Sequence, residues 1–238
     1  MYEYLIGAII VFLVWTIFFF VRKDLRKPIV WTGTFYLTFN LILAIMWHVV
    51  DRFVDIGQPI VPSYWNPPTL FSLTRITGFM GIEDVLFIFF MGGIGAATYE
   101  IFLHKKINLK RTYRPHFIAL TMTFILFFVF AYALPINIIY PYSFATICGA
   151  VIVLFERRDL IKHSLLGGIV FVVMYLIAYF LYNLAFPDFI TSFYSQEVLE
   201  GISLLGIPFE ELLYAFSFGL LWAPLYEYAH GEKCVDEK

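Results

Sequence analysis

Two pairs of neighbouring acids stand inside apolar sequence, Glu83-Asp84 and Glu210-Glu211. Carboxyl groups at membrane depth are costly to bury, so such pairs are candidates for proton chemistry. A protonated carboxyl can deliver its proton to an alkene, and an ionised one can remove a proton from the cation that follows. The plainer reading is that acids in a first helical turn oppose the helix dipole, and Pro208 suits such a turn. Two adjacent acids in both places are more than a cap requires. Adjacent helical residues project about 100° apart, so at most one acid of each pair faces a given partner.

The surroundings of the two pairs resemble each other when the chain is slid by 127 residues. Glu83 meets Glu210, Asp84 meets Glu211 and Phe87 meets Tyr214. Gly92 then meets Gly219, Ala96 meets Ala223, and Tyr99-Glu100 meets Tyr226-Glu227. This argues for an internal duplication with the site between the two copies. Small residues four apart permit close helix approach. If the two acid-bearing helices met through Gly92/Ala96 and Gly219/Ala223, their starting carboxyls would converge in one apolar pocket. Like charges held close cannot all ionise, so one carboxyl there would keep its proton.

The elements that position these acids are membrane helices. Of 238 residues, 61% are hydrophobic and 14% charged, against about a quarter charged in soluble domains. With net charge −2 and mean hydropathy +0.81, the chain lacks the basic surface of a nucleic-acid binder. Two cysteines, Cys148 and Cys234, make no disulfide framework. Seven apolar stretches are long enough to cross a bilayer: 2–21, 29–50, 83–103, 115–134, 137–155, 163–186 and 209–229. The expected fold is therefore an all-α, polytopic membrane protein of seven transmembrane helices. Helices 1–3 and 5–7 form two tandem three-helix repeats (1–105 and 137–230), joined by a connector helix within 106–136 and followed by a tail, 231–238.

The basic residues fix an expected orientation. Arg22, Lys23, Arg26 and Lys27 follow helix 1; Lys105, Lys106, Lys110, Arg111 and Arg114 follow helix 3. Arg157, Arg158 and Lys162 follow helix 5, and Lys233 and Lys238 follow helix 7, leaving only Arg52 and Arg75 on the opposite side. The positive-inside rule then puts the amino terminus outside the cell membrane and the carboxyl tail in the cytoplasm. Both acid pairs fall at the outer boundary. Glu100 and Glu227, near the other boundary, are expected to satisfy groups there.

Aromatic residues make up 21% of the chain, and most are expected to face lipid or pack. Phe87 and Tyr214 stand out, each one turn from an acid, where a ring face can stabilise a carbocation. Trp47, His48 and Asp51 cluster at the outer end of helix 2, so Trp47 and Asp51 join the candidate pocket. No second histidine lies at ligand spacing from His48, which leaves metal catalysis without support. No span contains a lysine for a retinal Schiff base, and neither a Rossmann fingerprint nor a phosphate loop is present. The outer loops, 51–82 and 187–208, are placed to cap the pocket. What remains is proton chemistry on apolar substrates, or proton-coupled transport or binding of small apolar or protonatable molecules.

The Gly206-Ile-Pro-Phe-Glu-Glu-Leu-Leu-Tyr214 stretch, its copy Gly81-Ile-Glu-Asp-Val-Leu-Phe87 and the Trp47–Asp51 segment resemble the lycopene cyclase domain family. That family includes heterodimeric bacterial, fused archaeal and fungal bifunctional carotenoid cyclases. The resemblance implies ring closure of an acyclic carotenoid end group, such as that of lycopene, without redox change and without a cofactor. It implies Glu210 or Glu211 as the acid and Glu83 or Asp84 as the base. The implied partners are an isoprenoid substrate, membrane lipid and other carotenoid-synthesising enzymes. Copy one departs from the family motif: it has neither the proline nor the second glutamate, and Trp47 and Asp51 are not adjacent. A hydratase, in which water quenches the same cation, remains open at this stage.

Overall fold

The computed structural model describes residues 2–108 and 116–236. Lys110, Arg111, Arg114 and Lys238 of the charge pattern lie outside them. The chain is mainly helical: α1 (Glu3–Val21), α2 (Arg26–Val50), α3 (Leu73–Thr77), α4 (Ile82–Phe102), α5 (Ile118–Ala133), α6 (Ile139–Glu156), α7 (Ile161–Ala185), α8 (Phe189–Phe193), α9 (Phe209–Trp222) and α10 (Leu225–His230). Two small antiparallel ribbons complete it. Strand β1 (Lys105–Asn108) pairs with β4 (Lys233–Asp236), and β2 (Ser203–Leu204) pairs with β3 (Ile207–Pro208).

Helices α1, α2, α4, α6 and α7 are long and apolar enough to cross a membrane, at five of the seven expected positions. The other two differ in length. Helix α5 has 16 residues. The expected 209–229 helix is interrupted: α9 ends at Trp222, and α10 restarts after Pro224, which has no N–H to continue the ladder.

Polarity is distributed as in a membrane protein. Ile9, Leu13, Ile17 and Phe20 on α1, and Ile169, Val173, Ile177 and Leu181 on α7, are exposed. Glu83, Asp84, Glu100, Glu210, Glu211 and Glu227 are buried instead. Acids inside and aliphatic side chains outside is the arrangement a lipid solvent selects.

Helices α4 and α9 occupy the centre. Helix α4 packs on α1 and α2, and α9 packs on α6 and α7, while α5 lies along α6. Close approach at small residues makes this possible, but not between the helices expected. A Cβ on Gly92 would lie 2.7 Å from Tyr36 Cβ and 3.1 Å from Gly33 Cα, both on α2; one on Gly219 would lie 2.7 Å from Gly168 Cα on α7. Ala223 likewise faces Gly167. The small residues thus seat α4 on α2 and α9 on α7 rather than on each other. At Gly95 the two central helices do meet, through the Phe218 ring.

The two halves are stitched at both ends. At one end β1 pairs with β4. At the other, Trp65 and Tyr194 form a lone antiparallel bridge, flanked by Asn66 N–H to Phe193 O (2.8 Å) and Ser195 N–H to Tyr64 O (3.1 Å). The β1–β4 end also carries two matched arginines. Arg22 grips Asp24 through Nε and Nη2 (3.0 and 2.8 Å) and gives Nη1 to Glu100 O (3.0 Å) and Nη2 to Lys105 O (2.5 Å). Arg157 does the same to Asp159 (2.9 Å twice), Glu227 O (3.1 Å) and Glu232 O (2.6 Å).

Candidate active site

At the end opposite β1–β4, an aromatic cavity of about 160 Å³ lies between the two central helices and under the loops. Its walls come from α1 (Tyr4), α2 (Tyr36, Trp47), α4 (Asp84, Phe87), α5 (Phe127), α6 (Tyr142), α7 (Tyr175, Tyr179) and α9 (Glu211, Tyr214). The segments Pro59–Val61 and Tyr64–Trp65 and residue Tyr194 line it as well, so both loops expected to cap the pocket contribute to its wall.

One acid of each pair faces this cavity. Asp84 and Glu211 line it, whereas Glu83 and Glu210 turn to the loops. Glu83 Oε1 accepts the Leu70 N–H (2.6 Å), and Glu210 Oε1 accepts the Glu200 N–H (2.7 Å). These first acids anchor the connecting segments above α4 and α9. The separation follows from helix geometry: neighbours about 100° apart cannot share one wall.

The two inward acids have different partners. Asp84 Oδ1 accepts from the Tyr4 hydroxyl (2.5 Å) and from Trp65 Nε1 (3.3 Å), and Oδ2 accepts the N-cap Gly81 N–H (2.8 Å) at the start of α4. Glu211 Oε1 accepts from Tyr64 (2.6 Å), and Oε2 from Tyr175 and Tyr179 (3.1 Å for the latter). Tyr175 also reaches Tyr179 at 2.9 Å, and Tyr179 is hydrogen-bonded to Tyr194.

This difference has chemical content. An indole N–H and a backbone N–H only donate, so two of the three groups on Asp84 require it to accept. Every partner of Glu211 is a phenol, which can donate or accept. All the groups around Glu211 can therefore turn to accept a hydrogen bond from its protonated carboxyl, whereas around Asp84 only the Tyr4 hydroxyl can. Burial, and then the neighbouring Glu211, push the Tyr64 phenol well up from its ordinary range, and the same two causes act on Tyr194. Both loop tyrosines keep their hydroxyl protons at neutral pH.

Below the acids, the Tyr36 hydroxyl bonds to those of Tyr214 (2.7 Å) and Tyr142 (3.3 Å), and all three residues line the cavity. Phe87, Tyr214 and Trp47 line the cavity as expected. Asp51 does not: it is exposed, and its N–H ends α2 on Trp47 O (2.9 Å). The turn after Trp47 carries Asp51 past the rim, so it is removed from the candidate site. His48 stands at the rim, with Nδ1 2.9 Å from Ala44 O.

Tyr4, Tyr36, Tyr64, Tyr142, Tyr175, Tyr179 and Tyr194 were not singled out from sequence, and Trp65 only as part of a capping loop. Tyr175 and Tyr179 are four residues apart on α7, on one helix face, and that spacing was the available signal. The others are assembled from separate elements.

The profile of the lycopene cyclase family matches residues 3–102 and 137–229, leaving out β1 and α5. No curated protein and no solved structure matches the chain. The two matched blocks contain both acid pairs, both central helices and most of the cavity wall, and cover most of the sequence; the chain belongs to the lycopene cyclase family.

Proposed function

We propose that this protein is a membrane carotenoid cyclase that closes acyclic end groups, such as those of lycopene, into ionone rings with Glu211 as acid and Asp84 as base. The observation that carries the reading is two buried carboxyls, in unlike hydrogen-bond surroundings, on one aromatic cavity.

The Glu211 carboxyl gives its proton to the terminal double bond, leaving a tertiary cation. An internal double bond attacks that cation, forming the ring and moving the charge onto a ring carbon. Asp84 removes a ring proton, and the electron pair of that C–H bond becomes the new double bond. One proton enters and one leaves, so the product is an isomer and no redox partner is required. The faces of Phe87, Tyr214 and Trp47 can stabilise the cation along the way. A cavity near 150 Å³ holds a benzene-sized ligand, which supports one end group at a time with the polyene chain extending outward.

We also infer that the chain is a duplicated pair of three-helix units spanning the membrane, with the amino terminus and the cavity outside and the carboxyl tail in the cytoplasm. Several matches support the duplication. Arg22 and Arg157 make the same set of bonds, and Gly33 against Phe89 is matched by Gly168 against Phe216.

The test is expression of the wild type and Glu211→Gln in a lycopene-accumulating bacterial host, with chromatography of the pigments. Cyclic products of unchanged mass from the wild type alone are the expected result. Untouched lycopene beside membrane-inserted wild-type protein would sink the carotenoid assignment and return weight to transport.

A further inference from the structure

Glu100, His163 and Glu227 come together from α4, α7 and α10 at the end of the molecule opposite the cavity. None is more than 2% exposed. His163 Nε2 lies 3.4 Å from Glu100 Oε1, and its Nδ1 lies 3.7 Å from Glu227 Oε1. Tyr99 stacks on the imidazole at 4.1 Å between ring centres, which fixes the ring plane. The expectation that Glu100 and Glu227 satisfy boundary groups is met by their backbone carbonyls, which take the Arg22 and Arg157 guanidinium groups. The side chains turn inward instead.

This cluster is incomplete as it stands. Neither carboxylate oxygen of Glu227 has a hydrogen-bond donor, and neither ring nitrogen of His163 is in a hydrogen bond. A buried carboxylate without a donor costs several kcal/mol unless a cation meets it, and Glu227 is such a group. Two carboxylates beside one imidazole form a donor set that a divalent ion accepts.

We propose that Glu100, His163 and Glu227 bind one divalent transition-metal ion, of the Zn²⁺ or Mn²⁺ kind, which clamps α4, α7 and α10 together. One candidate ligand atom from each residue can be chosen so that all lie within 4.8 Å of one another. Bonds of about 2.1 Å in a tetrahedral shell separate ligand atoms by about 3.4 Å, the distance already found between His163 Nε2 and Glu100 Oε1. Glu227, now beside Nδ1, has to move toward Nε2 to take the third position, from within 4.8 Å of the other two ligand atoms. One imidazole with two carboxylates favours zinc or manganese over magnesium and calcium, which prefer oxygen alone. Sixteen residues of α4 separate Asp84 from Glu100, about 24 Å along the helix axis. The ion therefore has a structural role, and the proposal stands independently of the cyclase mechanism.

The experiment uses the full chain, purified in detergent on an affinity tag that needs no metal column and dialysed before elemental analysis. The expected result is close to one zinc or manganese per chain, a lower unfolding temperature after chelation, and recovery when Zn²⁺ or Mn²⁺ is added back. Glu227→Gln should lower metal affinity by at least about tenfold. Asp84→Asn, at the other end of α4, should keep the metal; its loss there as well would mark an adventitious ion only and overturn the site. Metal-free wild-type protein whose unfolding temperature does not respond to either ion would overturn it too, leaving protons to neutralise the cluster. The wild-type arms decide the question even if Glu227→Gln fails to fold.

Discussion

The Tyr64 hydroxyl donates to Glu211 Oε1 at 2.6 Å across 147 residues of sequence. A loop of the first matched block thereby completes the hydrogen-bond setting of Glu211 in the second. Neither block can hold Glu211 in its three-phenol setting by itself, which gives a physical reason for carrying both on one chain.

The two acids of a pair should be separable by mutation. Glu211→Gln keeps the shape of the side chain and removes the transferable proton, so turnover should fall by about 10²- to 10⁴-fold. Glu210→Gln still offers an oxygen to the Glu200 N–H and should keep a large part of the activity. Pigment analysis of both variants at matched membrane levels checks this; equal losses would mean that the loop anchor and the acid cannot be told apart.

Isotope incorporation tests the direction of proton flow. Cells or membranes forming product in D₂O should place one deuterium in each ring closed, since the proton on Glu211 exchanges through Tyr179 and Tyr194 toward the outer loops. Mass spectrometry of the cyclic product reads this directly. Unlabelled rings would show that the proton cycles from Asp84 back to Glu211 without meeting solvent.

Tyr64→Phe removes one hydroxyl and little volume. Loss of a hydrogen bond to a charged or charge-developing group costs about 1.5–3 kcal/mol, so turnover should slow by roughly ten- to a hundredfold. The unfolding temperature should change little, because the ring stays packed on Tyr194. A collapse of stability would show that the loop is held by this bond rather than poised by it.

The helix seats should tolerate no added volume. A Cβ on Gly33 would sit 2.6 Å from the Phe89 carbonyl oxygen on α4, backbone that cannot rotate away. Gly33→Ala should destabilise the protein by about 1–3 kcal/mol through overpacking. Gly78, which has open space around its Cβ position but a φ of +65°, serves as the contrasting surface glycine. Thermal unfolding in detergent compares them.

The two matched arginines should differ in consequence. The Arg157 side chain is 1% exposed and that of Arg22 13%. Removal of a buried charge that satisfies two carbonyls and a carboxylate costs about 3–5 kcal/mol, and less where water can replace it. Arg157→Ala should therefore lower the unfolding temperature more than Arg22→Ala. The reverse order would place the weight of that end of the molecule on the first block.

Much of the architecture was legible in the linear sequence. Runs of apolar residues bounded by basic clusters locate the helices within a few positions, because burying an unpaired backbone or a charge in lipid is expensive wherever the chain goes. The acid pairs and their 127-residue recurrence pointed to the two helices that flank the cavity; Phe87 and Tyr214, each one turn from an acid, and Trp47, near the end of its helix, line it. The break at Pro224 was not read from the sequence, because the apolar run on either side of it conceals the interruption.

Only the tertiary structure decided which acid of each pair faces the cavity, which tyrosines surround it, and that Asp51 lies outside it. The reason lies in α4 and α9, which are apolar on nearly every side below their acids. A helix without a polar stripe does not announce its inward face. Its rotation is set by the small residues that seat it, Gly92 on α2 and Gly219 on α7, and those contacts exist only once the neighbours are in place. Likewise Glu100, His163 and Glu227 are separated by more than sixty residues at each step, and only the packing of α4, α7 and α10 makes one cluster of them. The sequence by itself determined what must be buried in lipid and what chemistry was on offer; folding determined which of those groups meet.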